Sequence, residues 1–320
     1  MGYVNHLFEK NVQRLSGMLK RCELCPRKCR IDRTAGEKGF CGLPDTIVMD
    51  CYLAHHGEEP PLSGTQGAGT IFLSSCNLRC IYCQNYQISH QAVGDHLQAA
   101  DLVRIMLAIQ ERGCHNVEPV TPTPQTPGIM AALLTARRNG LTIPFVYNCS
   151  GYENPKVIAL LDGMVEIYLP DFKYGQDEDG QMFSGVGDYV ENTVASIREM
   201  VRQVGDEGRL EMDAAGIAKR GVIIRHLVLP GRLENSFAVL DLIKEHVSLV
   251  ASICIMSQYT PIPAVRNHPL LRRRVTRREY EAVVNYALDR GFDNLFTQAV
   301  DDRTFSPDFE QGDPFDFQNK

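Results

Sequence analysis

The chain has 320 residues, of which 44% are hydrophobic and 22% charged, and a formal net charge of -6. That length suits one large α/β domain or two modest ones, and the composition is that of a folded chain. The acidic balance argues against a protein that coats nucleic acid electrostatically. A local basic patch, Arg272-Arg273-Arg274 with Arg277-Arg278, reads as a solvated helix face. No apolar leader opens the chain and no apolar run reaches the length of a membrane span, so a cytoplasmic protein without membrane attachment is expected. Seven of the eleven cysteines gather in two tight clusters, which in a cytosolic chain reads as metal binding rather than cross-linking.

Residues 3–20 carry Val4, Leu7, Phe8, Val12, Leu15, Met18 and Leu19 at helical spacing. This helix delivers the chain to Cys22, Cys25, Cys29 and Cys41, spaced C-x2-C-x3-C-x11-C. Four thiolates at that spacing suit a closed tetrahedral zinc site or a full iron–sulfur cluster, and the ligand types leave both open. Residues 42–68 show few periodic signals and hold many Gly and Pro; residues 63–69 read as a loop leading into the first barrel strand, and His55 and His56 read as surface polar sequence.

From residue 69 short apolar runs alternate with helical patterns, the signature of βαβ units and a parallel sheet. Strands are expected at 70–74, 116–120, 144–148, 165–169, 222–228 and 252–257. Helices are expected near 97–112, 128–138, 155–162, 188–204, 233–247 and 276–290. The fold class is therefore α/β, a partial (β/α)6 TIM-like barrel with an N-terminal cysteine-rich extension. The expected units are an extension at 1–68, a barrel at 69–300 and a C-terminal tail at 301–320. In such barrels the chemistry gathers in loops after the strand C-termini.

The loop after the first of these strands is Ser74-Ser75-Cys76-Asn77-Leu78-Arg79-Cys80-Ile81-Tyr82-Cys83-Gln84-Asn85. Cys76, Cys80 and Cys83 at C-x3-C-x2-C spacing can wrap three corners of a cubane iron–sulfur cluster and leave the fourth iron open for a ligand. A closed zinc site wants a fourth ligand, and no Cys or His follows within a few residues. Later strand ends carry Asn148 and Ser150, then Asp171 and Lys173, then Arg225. Asp171, Lys173 and Arg225 are expected to face one mouth, a lining suited to a zwitterionic ligand with a ribose. Loop capping and an Asp–Lys ion pair are the competing reading.

The ordered set Cys22-x2-Cys25-Pro26-x2-Cys29, Gly39-Phe40-Cys41-Gly42, Glu59-Pro60, Cys76-Asn77-Leu78-Arg79-Cys80-x-Tyr82-Cys83, Tyr147-Asn148-x-Ser150-Gly151-Tyr152-Glu153, Tyr168-Leu169-Pro170-Asp171-Phe172-Lys173-Tyr174 and Met256-Ser257-Gln258-Tyr259 resembles the radical S-adenosylmethionine (SAM) superfamily. Within it, the set is similar to the pyruvate formate-lyase activating enzyme-like branch with an N-terminal cysteine cluster. The chain departs where Val120-Thr121-Pro122-Thr123 replaces the Gly-Gly-Glu stretch of many relatives, and where Pro124 replaces a His.

The resemblance implies a 4Fe–4S cluster on Cys76, Cys80 and Cys83, with SAM chelating the open iron. Reductive cleavage would then give a 5′-deoxyadenosyl radical for hydrogen-atom abstraction. Tyr82 would lie near the adenine and Asn148 and Ser150 near ribose or carboxylate. Asp171, Lys173 and Arg225 would surround SAM polar groups. No catalytic residue is assigned. Implied partners are an electron donor such as flavodoxin or ferredoxin, and a glycyl-radical enzyme or another protein as substrate. Two other readings are a radical SAM enzyme acting on a different protein, RNA or small molecule, and a non-catalytic iron–sulfur or zinc module.

Overall fold

The computed structural model describes residues 2–300 and 306–316, with side chains from residue 6 onward. Val4, and residues 301–305 and 317–320 of the expected tail, lie outside the described side chains. Among the described residues ten strands run in chain order: β1 (Ile47–His55), β2 (Ala68–Leu73), β3 (Asp95–Leu97), β4 (Val117–Val120), β5 (Val146–Cys149), β6 (Ile167–Pro170), β7 (Glu211–Met212), β8 (Ala218–Leu227), β9 (Ser252–Met256) and β10 (Leu295–Thr297). They form one sheet in the order β10-β9-β8-β6-β5-β4-β2-β1-β3, with β7 hairpinned onto β8. From β2 to β10 every neighbouring pair on that path is parallel. The two ends of the path do not pair, so the mostly parallel sheet is a partial barrel and not a closed one.

The reason for the parallel core is visible residue by residue. β2, β5, β6 and β9 are buried at every position, as expected of strands covered by helices on one face and by barrel interior on the other. Each crossover returns through a helix: Ala99–Glu111, Thr126–Arg138, the one-turn Pro155–Ala159, Tyr189–Val204, Leu233–His246 and finally Arg277–Asp289. The first two present a stripe of Leu102, Val103, Met106 and Ile109, and of Ile129, Met130, Leu133 and Ala136, to the core. The last opens with a capping box in which Thr276 and Glu279 satisfy each other's backbone N–H groups. Arg273 forks onto Glu279 at 2.7 Å and Arg277 and Arg278 are exposed, so the basic run is a solvated helix entry.

The structure adds elements that the sequence reading does not expect, among them the short strands β3, β7 and β10. Residues 42–68, assigned no element, contain the nine-residue β1, antiparallel to β2. A β-bulge between Met49 and Cys51 breaks its alternation, which removes the period-two signal a strand normally shows. β1 lies within 1–68 and β2 begins at residue 68, so the cysteine-rich extension shares the sheet. The helix expected at 155–162 is one turn long, Pro155–Ala159, and a helix at Asp177–Ser184 fills a stretch with no assigned element. Three acids in the first turn of the latter suit its N-terminal partial charge. The N-terminal helix Gly2–Gly17 buries Leu15 and packs Phe8 and Val12 on the core, whereas Leu7 is exposed. No helix among the described residues is long and apolar enough to cross a membrane.

Candidate functional site

Parallel register places the candidate side chains in a row. Val120 pairs with Asn148, Asn148 with Leu169, and Asp171 bridges Arg225. The backbone continues this row past the strands: Thr121 N–H donates to Asn148 O at 2.9 Å, Asp171 N–H to Cys149 O at 2.9 Å, and Phe172 N–H to Arg225 O at 2.7 Å. Gly151 makes the packing possible. A Cβ there would sit 1.9 Å from Asp171 O, and its φ of +78° is left-handed, so no other residue fits between these loops.

A cleft enclosing about 1190 Å³ of solvent-continuous space lies over these strand ends. Cys76, Cys80 and Cys83 line it, together with Tyr82, Asn148, Ser150, Asp171, Lys173 and Arg225. The cysteine loop is held in an unfavourable backbone shape, with Ser75 at φ +70° and Arg79 at +58°; Thr121, in the loop after β4, is at +60°. Non-glycine residues in that region cost of order 1 kcal/mol or more and persist where surroundings enforce them.

All three thiols are free, and each has a specific polar neighbour. Leu78 N–H donates to Cys76 Sγ at 3.3 Å, Ser89 Oγ lies 3.1 Å from Cys83 Sγ, and Ser184 Oγ donates to Cys80 Sγ at 3.0 Å. The last contact ends a chain of hydroxyls, because Tyr82 donates to Tyr174 at 2.9 Å and Tyr174 meets Ser184 at 2.6 Å. Burial pushes the Cys76 thiol up to about 12, and burial with the nearby Cys80 pushes Cys83 up to about 11. Thiols of this kind become ligands by losing their protons as a metal binds. The donor set therefore fits a 4Fe–4S cluster: three soft thiols on one strained loop, facing an open cleft.

Behind the thiols the cleft is strongly charged. Lys173 Nζ donates to Asp171 Oδ2 at 2.5 Å. Burial disfavours the ammonium charge, but the Asp171 carboxylate outweighs it and holds Lys173 protonated. Arg225 is not free: its Nε donates to Glu59 Oε1 at 2.8 Å and its Nη2 reaches both Glu58 and Glu59. Glu59 stays ionised because Arg225 offsets its burial. Glu118 on β4 is fully buried; burial and the nearby Glu58 push its carboxyl far up, and Asn148 Nδ2 donates to its Oε1 at 2.7 Å. His55 lies against Glu58 at 3.8 Å, and its ring packs tilted on Phe315 with centroids 4.2 Å apart.

Glu58, Glu118 and His55 were not singled out as site residues by sequence reasoning. Glu59-Pro60 was the one available signal, since it stands in the motif order. The quartet Cys22, Cys25, Cys29 and Cys41 lies outside this cleft and lines a cavity of its own.

A parallel partial barrel with a three-thiol loop after its first parallel strand defines the radical SAM class. Residues 70–234 match the family model described as Radical SAM superfamily, and the chain belongs to that superfamily. It is 28% identical over 298 residues to the uncharacterized protein MJ0674 of Methanocaldococcus jannaschii, covering 91% of this chain and 81% of that protein. A second protein of the same organism, the uncharacterized MJ0808, is 34% identical over 82 residues, covering 22% of this chain and 24% of that one. Among solved structures, Streptococcus suis SuiB bound to S-adenosylmethionine is similar at 15% identity and a TM-score of 0.48. That match covers 70% of this chain and 48% of SuiB, so the chain spans about half of SuiB.

Proposed function

We propose that the chain is a radical SAM enzyme in which Cys76, Cys80 and Cys83 hold a 4Fe–4S cluster and the cleft beside them binds SAM. When bound, that pair supplies one-electron cleavage of the sulfonium and a radical able to abstract hydrogen, given a reductant such as flavodoxin or ferredoxin. The single observation that carries this reading is the shared cleft. Three free thiols and five polar strand-end side chains, brought together from loops up to 150 residues apart in sequence, face one space.

The chain's own residues do the positioning. Asp171 and Lys173 offer a matched carboxylate and ammonium, suited to the amino acid end of SAM. Asn148 and Ser150 offer an amide and a hydroxyl for ribose or carboxylate, and Tyr82 offers an aromatic ring at the same wall. Arg225, neutralised by Glu58 and Glu59, forms the far wall, so substrate meets a fixed set of dipoles rather than a bare cation. The hydroxyl chain to Cys80 excludes water from that thiol and holds its orientation.

The motif order from Cys22 to Tyr259 supports placement in the pyruvate formate-lyase activating enzyme-like branch, with a glycine of a partner enzyme as hydrogen donor. The extension at 1–68 and the barrel at 69–300 would work as one unit. Two measurements test this. Cys76→Ala should reduce reductant-dependent 5′-deoxyadenosine formation to background; retained cleavage sinks the assignment. Asp171→Asn should raise the SAM Kd about tenfold, roughly 1.4 kcal/mol, with iron content unchanged. Deuterium passing from a labelled glycyl-radical enzyme into 5′-deoxyadenosine decides for the activase role, and its absence with continued SAM cleavage points to another substrate.

A further inference from the structure

The second cysteine group is a built site. Cys22, Cys25, Cys29 and Cys41 line one pocket enclosing about 380 Å³ of solvent-continuous space, whose other walls include Leu24, Ile31 and Phe40. All four are free thiols. The backbone around Cys29 is forced, with Lys28 at φ +43° and Arg30 at +57°. Counting Ser75, Arg79 and Thr121, five of the seven left-handed non-glycine residues described belong to the two cysteine segments or the cleft. Gly39 closes over Cys29, where a Cβ would meet its Sγ at 2.9 Å, and Phe40 N–H points at the same sulfur at 3.5 Å.

We propose that this quartet holds a second 4Fe–4S cluster, closed by four thiolates, and not a zinc ion. Four thiolates on one zinc must all reach a single point at about 2.3 Å. Among the described residues no such convergence exists, although the four cysteines share a cavity. A cubane spreads its ligands over four separate irons and occupies the space between them. The Cys76, Cys80 and Cys83 loop, which fits a cubane on independent grounds, shows the same pattern of shared space without convergence.

The site also has a place in the molecule. Arg27, between Cys25 and Cys29, donates to Asn77 O at 2.8 Å and Leu78 O at 3.4 Å, within the radical-site loop. Its guanidinium reaches Ser184 O at 3.1 Å, beside the hydroxyl that contacts Cys80. Ser75 Oγ donates to Cys41 O at 2.5 Å. Asn77, the residue after Cys76, is itself a wall of the quartet's cavity. Loading the quartet therefore fixes the segment against which the radical-site loop is folded.

The test uses the full chain, reconstituted anaerobically with iron and sulfide, and reads metal content and electron paramagnetic resonance rather than turnover. The wild type should hold about eight iron and eight sulfide per chain, and Cys22→Ser/Cys25→Ser about four of each. A Cys76→Ser/Cys80→Ser/Cys83→Ser variant should keep about four iron and, once reduced, a signal that SAM does not alter. If that triple variant does not fold, the wild-type and double-variant counts still decide. About four iron with one zinc per chain, or about four iron and no zinc, in the wild type would overturn the proposal. So would a quartet signal that responds to SAM, since a fully ligated cluster has no open iron. Failure of SAM cleavage alone would bear on the cleft and leave these counts unchanged.

Discussion

Glu153 shows how far a single side chain can be moved by its surroundings. It is fully buried on the loop after β5, accepts from Thr123 Oγ1 at 2.7 Å, and burial pushes its carboxyl up to about 8. The folded state thus holds a proton that the unfolded chain releases above its ordinary value near 4.5. Its contribution is fully present below that lower value and is lost as pH rises through about 8, on the order of a few kcal/mol by pH 9. Glu153→Gln, which keeps the shape of the protonated acid, should flatten that decline in urea titrations run between pH 5 and pH 9. At the thiols, Ser184→Ala removes a hydrogen bond to Cys80 Sγ. Hydrogen bonds to cluster sulfurs raise reduction potential, so the variant's cluster should titrate at a more negative potential, by on the order of tens of millivolts. An unchanged midpoint would mean that the hydroxyl chain is mere packing.

Among elements, the segment from Cys22 to Cys41 stands out for how it is anchored. It contains charged residues at Arg30, Asp32, Arg33, Glu37 and Lys38 and cannot order itself by burying a core. Local turns help: Asp32 caps the short turn at Arg33–Ala35. The long-range ties are polar, with Arg33 donating to Pro124 O at 2.6 Å and Asn154 Nδ2 to Glu23 O at 2.7 Å. Arg27 adds contacts to four carbonyls and lies over the Phe40 ring at 3.6 Å. Arg27→Ala should cost about 2 kcal/mol of stability and lower iron retention at Cys76, Cys80 and Cys83, with far-ultraviolet circular dichroism unchanged. Full iron retention would show that the two loops are independent.

Across the whole molecule, residues near the C-terminal end return to the first strands and cover the cleft. Phe309 packs on Phe72 at 5.2 Å, Phe315 packs on Phe72 at 5.3 Å, and Gln87 donates to Asp308 at 3.0 Å. Phe309→Ala/Phe315→Ala should leave the fold intact while the reconstituted cluster bleaches several-fold faster in air. Equal bleaching would mean that the aromatic cover does not shield it.

What the sequence determined by itself was local. Six of the seven parallel strands were legible because strands buried on both faces read as apolar runs, and their helices because one apolar stripe repeats with the helical period; the seventh, β10, is only three residues long and half-exposed. The three-thiol loop was legible because its ligands lie within eight residues. Glu59 against Arg225, 166 residues apart, and Glu118 against Asn148 were beyond reach, because parallel crossovers set those pairings and carry no local pattern. β1 escaped for a related reason: its bulge erased the alternation, and its place in the sheet is decided by the edge of β2. Tertiary structure alone set the second cysteine group against the first, through an arginine whose partners are carbonyls, groups that every residue carries and no sequence motif can mark.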